Sequence, residues 1–285
     1  MKKVVITGGS GLLGPAVIQE FVNHSYEVIN LDSKKPDNPL CPTIITDLTN
    51  LGEVFSGLAG ADAVVHLAAI PVAYSHPNEV TFVNNVLSTY NVLEAAAQLG
   101  IKKAAITSSE SSYGLVFSKQ GLAPQYVPLD EDHPQLPEDS YGLSKIANEE
   151  TAKAIHRRTG MQVVSMRLGN VITPEKYENF PSFIHKPLER KSILWSYIDA
   201  RDAGAAYRCA VEKDGLGAVE LNIANDDSSM DMTGEELMKA AFPEVTDFRE
   251  PLDNYRTLFS NKKAKQLLGW EPQYSWRNEI KKILE

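Results

Sequence analysis

The stretch VVITGGSGLLGPAV, residues 4–17, decides the fold of this chain. The strand-like run VVIT leads directly into a turn with glycine at positions 8, 11 and 14, and a helical pattern follows to about residue 23. Pro15 is tolerated in the first helical turn, because its missing N–H would have no partner there. A strand, a glycine-rich turn and a helix in this order predict the opening of a β-α-β unit.

Short apolar runs alternate with helical patterns along the rest of the chain. We predict further strands at 27–31, 43–46, 63–68, 103–109, 162–168 and 219–224, and helices at 78–99, 140–158 and about 202–212. Ser140 is the predicted N-cap of the second of these helices, and Gly160 ends it. This alternation is typical of a parallel sheet with helices on both faces, so we predict an α/β fold with a Rossmann-type doubly wound sheet.

Composition restricts the class of protein. The 285 residues are 43% hydrophobic, enough for one large domain or two closely packed ones. The net charge of -9 argues against a nucleic-acid partner. Cys41 and Cys209 form no disulfide framework, and the histidines lack metal-ligand spacing, so we expect no metal site. No apolar run is long enough for a signal peptide or a membrane span, so we expect a cytoplasmic protein without a membrane partner.

The glycines at 8, 11 and 14 suit a phosphate-binding turn. Glycine lets backbone N–H groups approach a pyrophosphate, and the N-terminus of the following helix adds a favourable dipole. An ordinary connection between a strand and a helix remains the alternative for this turn taken alone.

Asp32 strengthens the interpretation of the turn as a dinucleotide site. It ends the second predicted strand, near the spacing of roughly 20 residues expected for an acid that binds ribose. A carboxylate accepts hydrogen bonds from both ribose hydroxyls and repels a 2′-phosphate, which favours NAD over NADP. Lys34 and Lys35 would tolerate a phosphate, and a solvated loop acid is the alternative role for Asp32.

Several further motifs occur in the order expected for one family. They are TGGSGLLG (7–14), Asp32, Asp47-Leu48, HLAA (66–69), NNV (84–86), TSSESSYG (107–114), YGLSK (141–145), RLGN (167–170) and KAKQLLGWEP (263–272). With them the chain resembles an extended short-chain dehydrogenase/reductase of the NAD-dependent epimerase/dehydratase family. The matches cover nearly the whole sequence.

The resemblance implies a proton-transfer pair at Tyr141 and Lys145. Tyr141 would exchange a proton with a substrate hydroxyl or carbonyl, and Lys145 would lower the pKa of Tyr141 and bind the nicotinamide ribose. Ser109 would hydrogen-bond the reacting oxygen, with the neighbouring Ser108, Ser111 and Ser112 as alternatives. The chemistry agrees, because a phenol of pKa roughly 10 is moved toward working pH by a nearby cation. An i, i+4 spacing places both groups on one side of a helix, although a coincidental surface pair has the same spacing.

The resemblance also implies the residues that would bind cofactor and substrate. The cofactor residues are Gly8, Gly11, Leu12, Leu13, Gly14, Asp32, Asp47, Leu48, Leu67, Ala68, Ala69, Asn85, Thr107, Tyr141 and Lys145. The substrate residues are Ser109, Glu110, Ser111, Asn170 and Trp195. Purely structural roles remain open for Asn85 and Asn170, and His66 is expected to be structural.

Two departures from the family pattern bear on the substrate. Glu110 comes one residue earlier than the glutamate of family dehydratases, and in an extended segment that shift turns the side chain to the opposite side, which disfavours dehydration. Trp195 stands where sugar-nucleotide enzymes often carry an arginine for phosphate, although Lys186, Arg190 and Lys191 would compensate. Core packing is the alternative role for Trp195.

Three functions follow, in order of preference. The first is an NAD-dependent oxidoreductase of a sugar, sugar acid or related hydroxyl or carbonyl compound. The second is a UDP-sugar 4-epimerase. The third is a non-catalytic NAD(P)-sensing protein, which would not need the pair Tyr141 and Lys145. Residues 1–170 and 201–225 would form the NAD-binding Rossmann domain, with 171–200 and 226–285 as a small, mostly helical substrate-binding cap. By analogy with the family we expect a homodimer.

Overall fold

A seven-stranded parallel sheet forms the centre of the molecule, with the glycine-rich turn at its carboxyl edge. The structure is a computed structural model that describes residues 2–284, with side chains through residue 282. The strands are β1 (Lys3–Thr7), β2 (Glu27–Asp32), β3 (Thr43–Ile45), β4 (Ala63–His66), β5 (Lys103–Ser109), β6 (Gln162–Leu168), β7 (Val171–Ile172), β8 (Ile198–Asp199) and β9 (Ala218–Ile223).

Helices connect the strands and cover both faces of the sheet. They are α1 (Gly14–Asn23), α2 (Leu51–Leu58), α3 (Asn78–Gln98), α4 (Ser140–Thr159), α5 (Ala200–Glu212), α6 (Gly234–Ala241), α7 (Lys262–Leu268) and α8 (Trp276–Leu284). In the described part of the chain, 3₁₀ segments lie at Glu110–Tyr113, Pro174–Ser182 and Lys191–Ile193. Within residues 2–284 no helix combines the length and the apolar character needed to cross a membrane.

The strand order is β3-β2-β1-β4-β5-β6-β9, and all neighbours are parallel. The order reverses between β1 and β4, and in open α/β sheets ligands bind in the crevice at such a switch point. The predicted doubly wound α/β fold is therefore confirmed.

Alternate residues of β1 explain the two layers. Val4 and Ile6 pack with α1 and α5 on one face, whereas Val5 packs with α2, α3 and α4 on the other. Strands β4 and β6 are buried along their whole length, as the near-continuous apolar runs of parallel sheets require.

Two local features differ from what the sequence predicts. The N-cap of α4 is Asp139 and not Ser140, because the Asp139 carboxylate accepts a hydrogen bond from the Gly142 N–H at 2.7 Å. Helix α2 was not predicted, since its eight residues contain two glycines. Its N-cap, Asn50, accepts hydrogen bonds from the first-turn N–H groups.

The chain beyond β9 contacts both the sheet and the irregular segment between β6 and β8. Leu268 and Trp270 join the buried cluster of α1 and α5, and the Trp270 indole N–H donates to the Asp202 carbonyl at 3.0 Å. Helix α8 instead packs against the 3₁₀ segment Pro174–Ser182, where Trp276 contacts Phe180.

Candidate active site

The turn after β1 accepts only glycine at two of its positions. Gly8 has a φ of +74°, and a Cβ there would lie 2.5 Å from the backbone nitrogen of Ala68. A Cβ at Gly14 would lie 2.1 Å from the carbonyl oxygen of Gly9. The turn therefore lies directly against the loop that follows β4, at the switch point of the sheet.

The N-terminus of α1 is available to an anion. Its N-cap residue is Leu13, which makes no capping hydrogen bond, and Leu12 beside it is largely exposed. The first N–H groups of a helix need partners from outside the helix, and a phosphate oxygen supplies them. This feature fits the pyrophosphate of a dinucleotide.

Asp32 lies beside the same turn at the end of β2. Its carboxylate accepts hydrogen bonds from the Ser10 N–H at 2.9 Å and the Lys34 N–H at 3.2 Å. These bonds fix an acid where an adenosine ribose would lie, while the side chain of Lys34 is exposed.

The predicted cofactor residues in the loops after β3 and β4 differ in their solvent exposure. Asp47 is exposed, and hydrogen bonds from Thr49 hold the pKa of its carboxyl below the usual range. Leu48 packs into the core beneath the sheet. Leu67, Ala68 and Ala69 are half-buried after β4, alongside the glycine turn.

Asn85 holds the loop after β4 in place. Its side-chain oxygen accepts the Ile70 N–H at 2.8 Å, and its amide donates to the Ile70 carbonyl at 3.0 Å. The same amide lies 3.4 Å from the Ser144 hydroxyl of α4. Asn85 thus joins α3, α4 and the backbone of the crevice.

His66 is structural, as expected. It is buried at the end of β4 between the hydroxyls of Thr7 at 2.7 Å and Thr89 at 3.0 Å. Burial, with the charge of Lys145 as a smaller cause, lowers the pKa of His66 to about 3. The imidazole is therefore neutral at ordinary pH.

Tyr141 and Lys145 are not a surface pair. Tyr141 is 7% exposed and Lys145 only 2%. The ammonium lies 5.2 Å from the centre of the Tyr141 ring and donates to the Thr107 carbonyl at 2.8 Å. The Thr107 hydroxyl itself donates to the His66 carbonyl at 2.9 Å. The Tyr141 phenol and the Lys145 ammonium, both from the first turns of α4, therefore lie buried near the end of β5.

Burial is the largest influence on the pKa values of Tyr141 and Lys145. Burial raises the pKa of Tyr141 to about 12, a hydrogen bond with Ser109 opposes this, and the charges of Glu110 and Asp139 add to it. Burial also lowers the pKa of Lys145 to about 8, although Glu149 opposes it. Desolvation is thus the largest cause of both shifts, and the phenol of Tyr141 is neutral in this arrangement.

The structure separates Ser109 from its neighbouring serines. Ser109 accepts the Ser111 N–H at 3.1 Å, and it lowers the pKa of Tyr141 against the effect of burial. The Ser109 hydroxyl lies 3.1 Å from the hydroxyl of Ser111, which is buried beside it. Ser108 points the other way and donates to Glu149 at 2.5 Å.

Glu110 does not lie in an extended segment. It opens the 3₁₀ turn Glu110–Tyr113, so the argument that a one-residue shift reverses its side chain was wrong. Its carboxylate accepts the Ser196 hydroxyl at 2.5 Å, and its charge acts on Tyr141. Burial raises the pKa of Glu110 to about 8, which a hydrogen bond from Ser196 and the charge of Arg190 oppose.

Arg190 lies next to this carboxyl and holds Asn170. Its guanidinium donates to the Asn170 side-chain oxygen at 3.0 Å, the Ser196 carbonyl at 3.1 Å and the Ser229 hydroxyl at 2.9 Å. Burial lowers the pKa of Arg190. In the described part of the chain no carboxylate oxygen lies within 4.0 Å of it, whereas buried Arg167 pairs with Glu149.

Trp195 is a core residue and not a stacking surface for substrate. It is 0% exposed, its indole N–H donates to the Pro187 carbonyl at 2.6 Å, and its ring meets the edge of Phe242. The expected substrate role is therefore corrected to core packing.

A buried ion pair behind the site was not anticipated. Glu149 lies one helical turn after Lys145 and accepts two hydrogen bonds from Arg167, at 2.9 Å and 2.8 Å. Because Glu149 also binds Ser108, the pair fixes α4 against β5 and β6. The only signal in the sequence was a glutamate that continued the i, i+4 spacing of Tyr141 and Lys145.

Comparisons with known proteins agree with this geometry. A putative UDP-glucose 4-epimerase of Methanocaldococcus jannaschii is 29% identical over 99% of this chain and 97% of its own length. An NAD-dependent glucose-6-phosphate dehydrogenase of Haloferax volcanii is 26% identical over 95% of this chain and 92% of its own. A short-chain dehydrogenase/reductase superfamily protein from Agrobacterium tumefaciens, solved with bound NAD, has the same fold with a TM-score of 0.76 at 20% identity, over 98% of this chain and 95% of that one.

The family itself follows from the match of a family model over most of the chain. The model described as the NAD dependent epimerase/dehydratase family matches residues 4–224, from the first strand to the end of the sheet. That span contains the glycine turn, Asp32, Ser109, Tyr141 and Lys145. The predicted relationship is thereby confirmed, and the chain belongs to the NAD dependent epimerase/dehydratase family.

Proposed function

We propose that this protein is an NAD-dependent oxidoreductase that moves hydride between NAD and a sugar, sugar acid or related hydroxyl or carbonyl compound. The observation that carries the proposal is the buried trio of Ser109, Tyr141 and Lys145 at the end of β5. All three lie at the carboxyl edge of the sheet, where α/β enzymes bind their ligands.

The residues present fit NAD. The uncapped N-terminus of α1 and the close approach of Gly8 to Ala68 provide a backbone cradle for the pyrophosphate. Asp32 would take the ribose hydroxyls. The remaining predicted cofactor residues would line the same crevice, except Leu48, which packs into the core. Residues 1–170 and 201–225 would then be the NAD-binding domain, with 171–200 and 226–285 as the substrate-binding cap.

Proton transfer falls to Tyr141. When bound, NAD supplies the hydride acceptor and, in its oxidised form, a positive charge. A cation near Tyr141 favours the phenolate and opposes the effect of burial, and the phenolate, once formed, can take the proton of a substrate hydroxyl and become the phenol. Ser109 would hold the reacting oxygen, and Lys145 would help to keep the phenolate charged.

Arg190 suggests a substrate with an acidic group. The Arg190 guanidinium is half-buried, lies 4.8 Å from the centre of the Phe183 ring, and makes its hydrogen bonds to neutral oxygens. A partly desolvated guanidinium without an anionic partner is costly. An oxyanion on the sugar would complete its coordination, as a carboxylate or a phosphate does with arginine. Of the alternatives we therefore favour sugar acids and sugar phosphates over neutral sugars.

A nucleotide-sugar 4-epimerase is the second candidate. The observation in its favour is the full-length similarity to the putative UDP-glucose 4-epimerase. Such an enzyme would use the same proton transfer at Tyr141 in both directions and release no NADH.

We further propose that the protein is a cytoplasmic homodimer. Val80, Val83, Leu87 and Tyr90 form an exposed apolar stripe along α3, and Leu143 on α4 is exposed as well. An apolar face of this kind on a soluble domain is commonly a contact between proteins. The cytoplasmic location rests on the free cysteines, which suit a reducing compartment.

A panel assay distinguishes the two enzymatic functions. The purified protein is denatured and the supernatant assayed for NAD, and the native protein is then offered NAD with aldoses, uronic acids and sugar phosphates. Net NADH formation would support the dehydrogenase. Retained NAD with interconversion of UDP-sugars, and without net NADH, would support the epimerase and refute our preferred function.

A further inference from the structure

The Glu110 carboxyl and the Arg190 guanidinium share one bridging residue without contacting each other. The Ser196 hydroxyl donates to Glu110 Oε2 at 2.5 Å, while the Ser196 carbonyl accepts from Arg190 at 3.1 Å. No nitrogen of Arg190 comes within 4.0 Å of a Glu110 oxygen. The two groups are therefore close enough to influence each other but are not an ion pair.

Glu110 is buried and influences charged groups of the site, so its protonation state affects the site. It is 8% exposed, and its bond to Ser196 leaves Oε1 without a partner among the residues that the structure describes. The titratable groups that act with it are Arg190, from the segment before β8, and Tyr141, from α4. The charge of Glu110 thus influences both Tyr141, the proposed proton-transfer residue, and Arg190, the proposed oxyanion site.

We propose that Glu110 is a specificity-determining residue, whose uncharged carboxyl leaves Arg190 available to an oxyanion of the substrate and whose ionised carboxylate competes with that oxyanion. This inference rests on the proposed function. It adds that the preference for acidic over neutral substrates depends on the protonation state of Glu110. A neutral sugar has no group for Arg190, so its binding is insensitive to the charge of Glu110.

The sign and size of the effect follow from linkage. Burial raises the pKa of Glu110 to about 8, so the carboxyl is neutral below that pH and ionised above it. If one proton must be present for the oxyanion to bind, the KM rises roughly tenfold between pH 7 and pH 9. The KM for a neutral sugar stays constant over the same range.

The test compares KM at pH 7 and pH 9 with NAD saturating. The probes are D-glucuronate and D-glucose 6-phosphate, which separate carboxylate from phosphate, with D-glucose as the neutral control. Glu110→Gln keeps an oxygen for Ser196 but does not ionise, so its KM ratio between the two pH values is expected near one. Glu178→Gln, which alters an exposed carboxylate, should keep the tenfold ratio of the unmodified protein.

A second variant, Ser196→Ala, tests the inference independently of whether Glu110→Gln folds. Because the hydrogen bond from Ser196 lowers the pKa of Glu110, Ser196→Ala should move the rise in KM to higher pH. A rise that is absent from the unmodified protein, or that persists unchanged in Glu110→Gln, would overturn the inference.

An equilibrium measurement separates this inference from the proposed function. In NAD-loaded protein at a fixed probe concentration, the rise in Tm caused by D-glucuronate or D-glucose 6-phosphate should be smaller at pH 9 than at pH 7, and equal at both pH values in Glu110→Gln. That result without NADH formation would refute the dehydrogenase and retain the role of Glu110. NADH formation, together with Tm shifts and KM values that do not change with pH, would support the dehydrogenase and refute the role of Glu110. The absence of a Tm shift with either probe would refute the oxyanion site.

Discussion

Replacing Gly8 with alanine should open the crevice between β1 and β4. At a φ of +74° an alanine loses roughly 1–2 kcal/mol to backbone strain. Its Cβ would also lie 2.5 Å from the backbone nitrogen of Ala68, and no rotamer change relieves a contact between two backbone-fixed atoms. Overpacking of this kind costs about 1–3 kcal/mol. We therefore expect Gly8→Ala to lose roughly 2–5 kcal/mol of stability in urea unfolding, with weaker NAD binding.

Gly60→Ala is the matched control for this substitution. Gly60 has a φ of +73°, and no described atom lies within 4 Å of the Cβ position. It should therefore lose only the strain, about 1–2 kcal/mol, and keep its affinity for NAD. Equal losses of stability in the two variants, with unchanged NAD affinity in both, would refute the close approach that shapes the proposed cofactor cradle.

Two other substitutions test the buried residues around the site. Trp195→Ala should reduce the free energy of unfolding by about 3–5 kcal/mol without changing NAD affinity, since the indole fills the core; a stable variant with a raised substrate KM would instead support a stacking role. His66 has a pKa of about 3 when folded and an ordinary one when unfolded, so the unfolded chain binds the extra proton and stability falls as pH drops below about 6.5. The loss should approach 1.4 kcal/mol per pH unit in urea unfolding and disappear in His66→Asn; an unchanged slope in that variant would contradict the burial argument.

The regular parts of the fold could be predicted from sequence because their signals are local. Strands buried on both faces form continuous apolar runs, and the turn at 8–14 requires glycine for reasons of backbone space. The N-cap of α4 was misplaced by one residue, because Asp139 and Ser140 are both good capping residues and only the three-dimensional turn chooses between them.

The substrate side of the site could not be predicted in the same way. The chain around Trp195 has no periodicity and contains positive φ angles at Leu194 and Trp195, so side-chain directions there depend on tertiary packing. Glu110 was misjudged because the direction of its side chain depends on whether the segment is extended or a 3₁₀ turn. The pairing of Glu149 with Arg167 joins a helix to a strand and leaves little local trace.

Turnover by Tyr141→Phe tests the central claim most directly. The substitution removes one hydroxyl from a buried ring and leaves the glycine turn, Asp32 and Lys145 intact, while Tyr255→Phe on the exposed surface serves as control. Loss of a positioned proton-transfer group lowers kcat by roughly 10²–10⁴-fold. We predict a loss of this size with the substrate that the panel identifies, with NAD binding unchanged and Tyr255→Phe fully active. Full activity of Tyr141→Phe would contradict the assignment of proton transfer to this tyrosine.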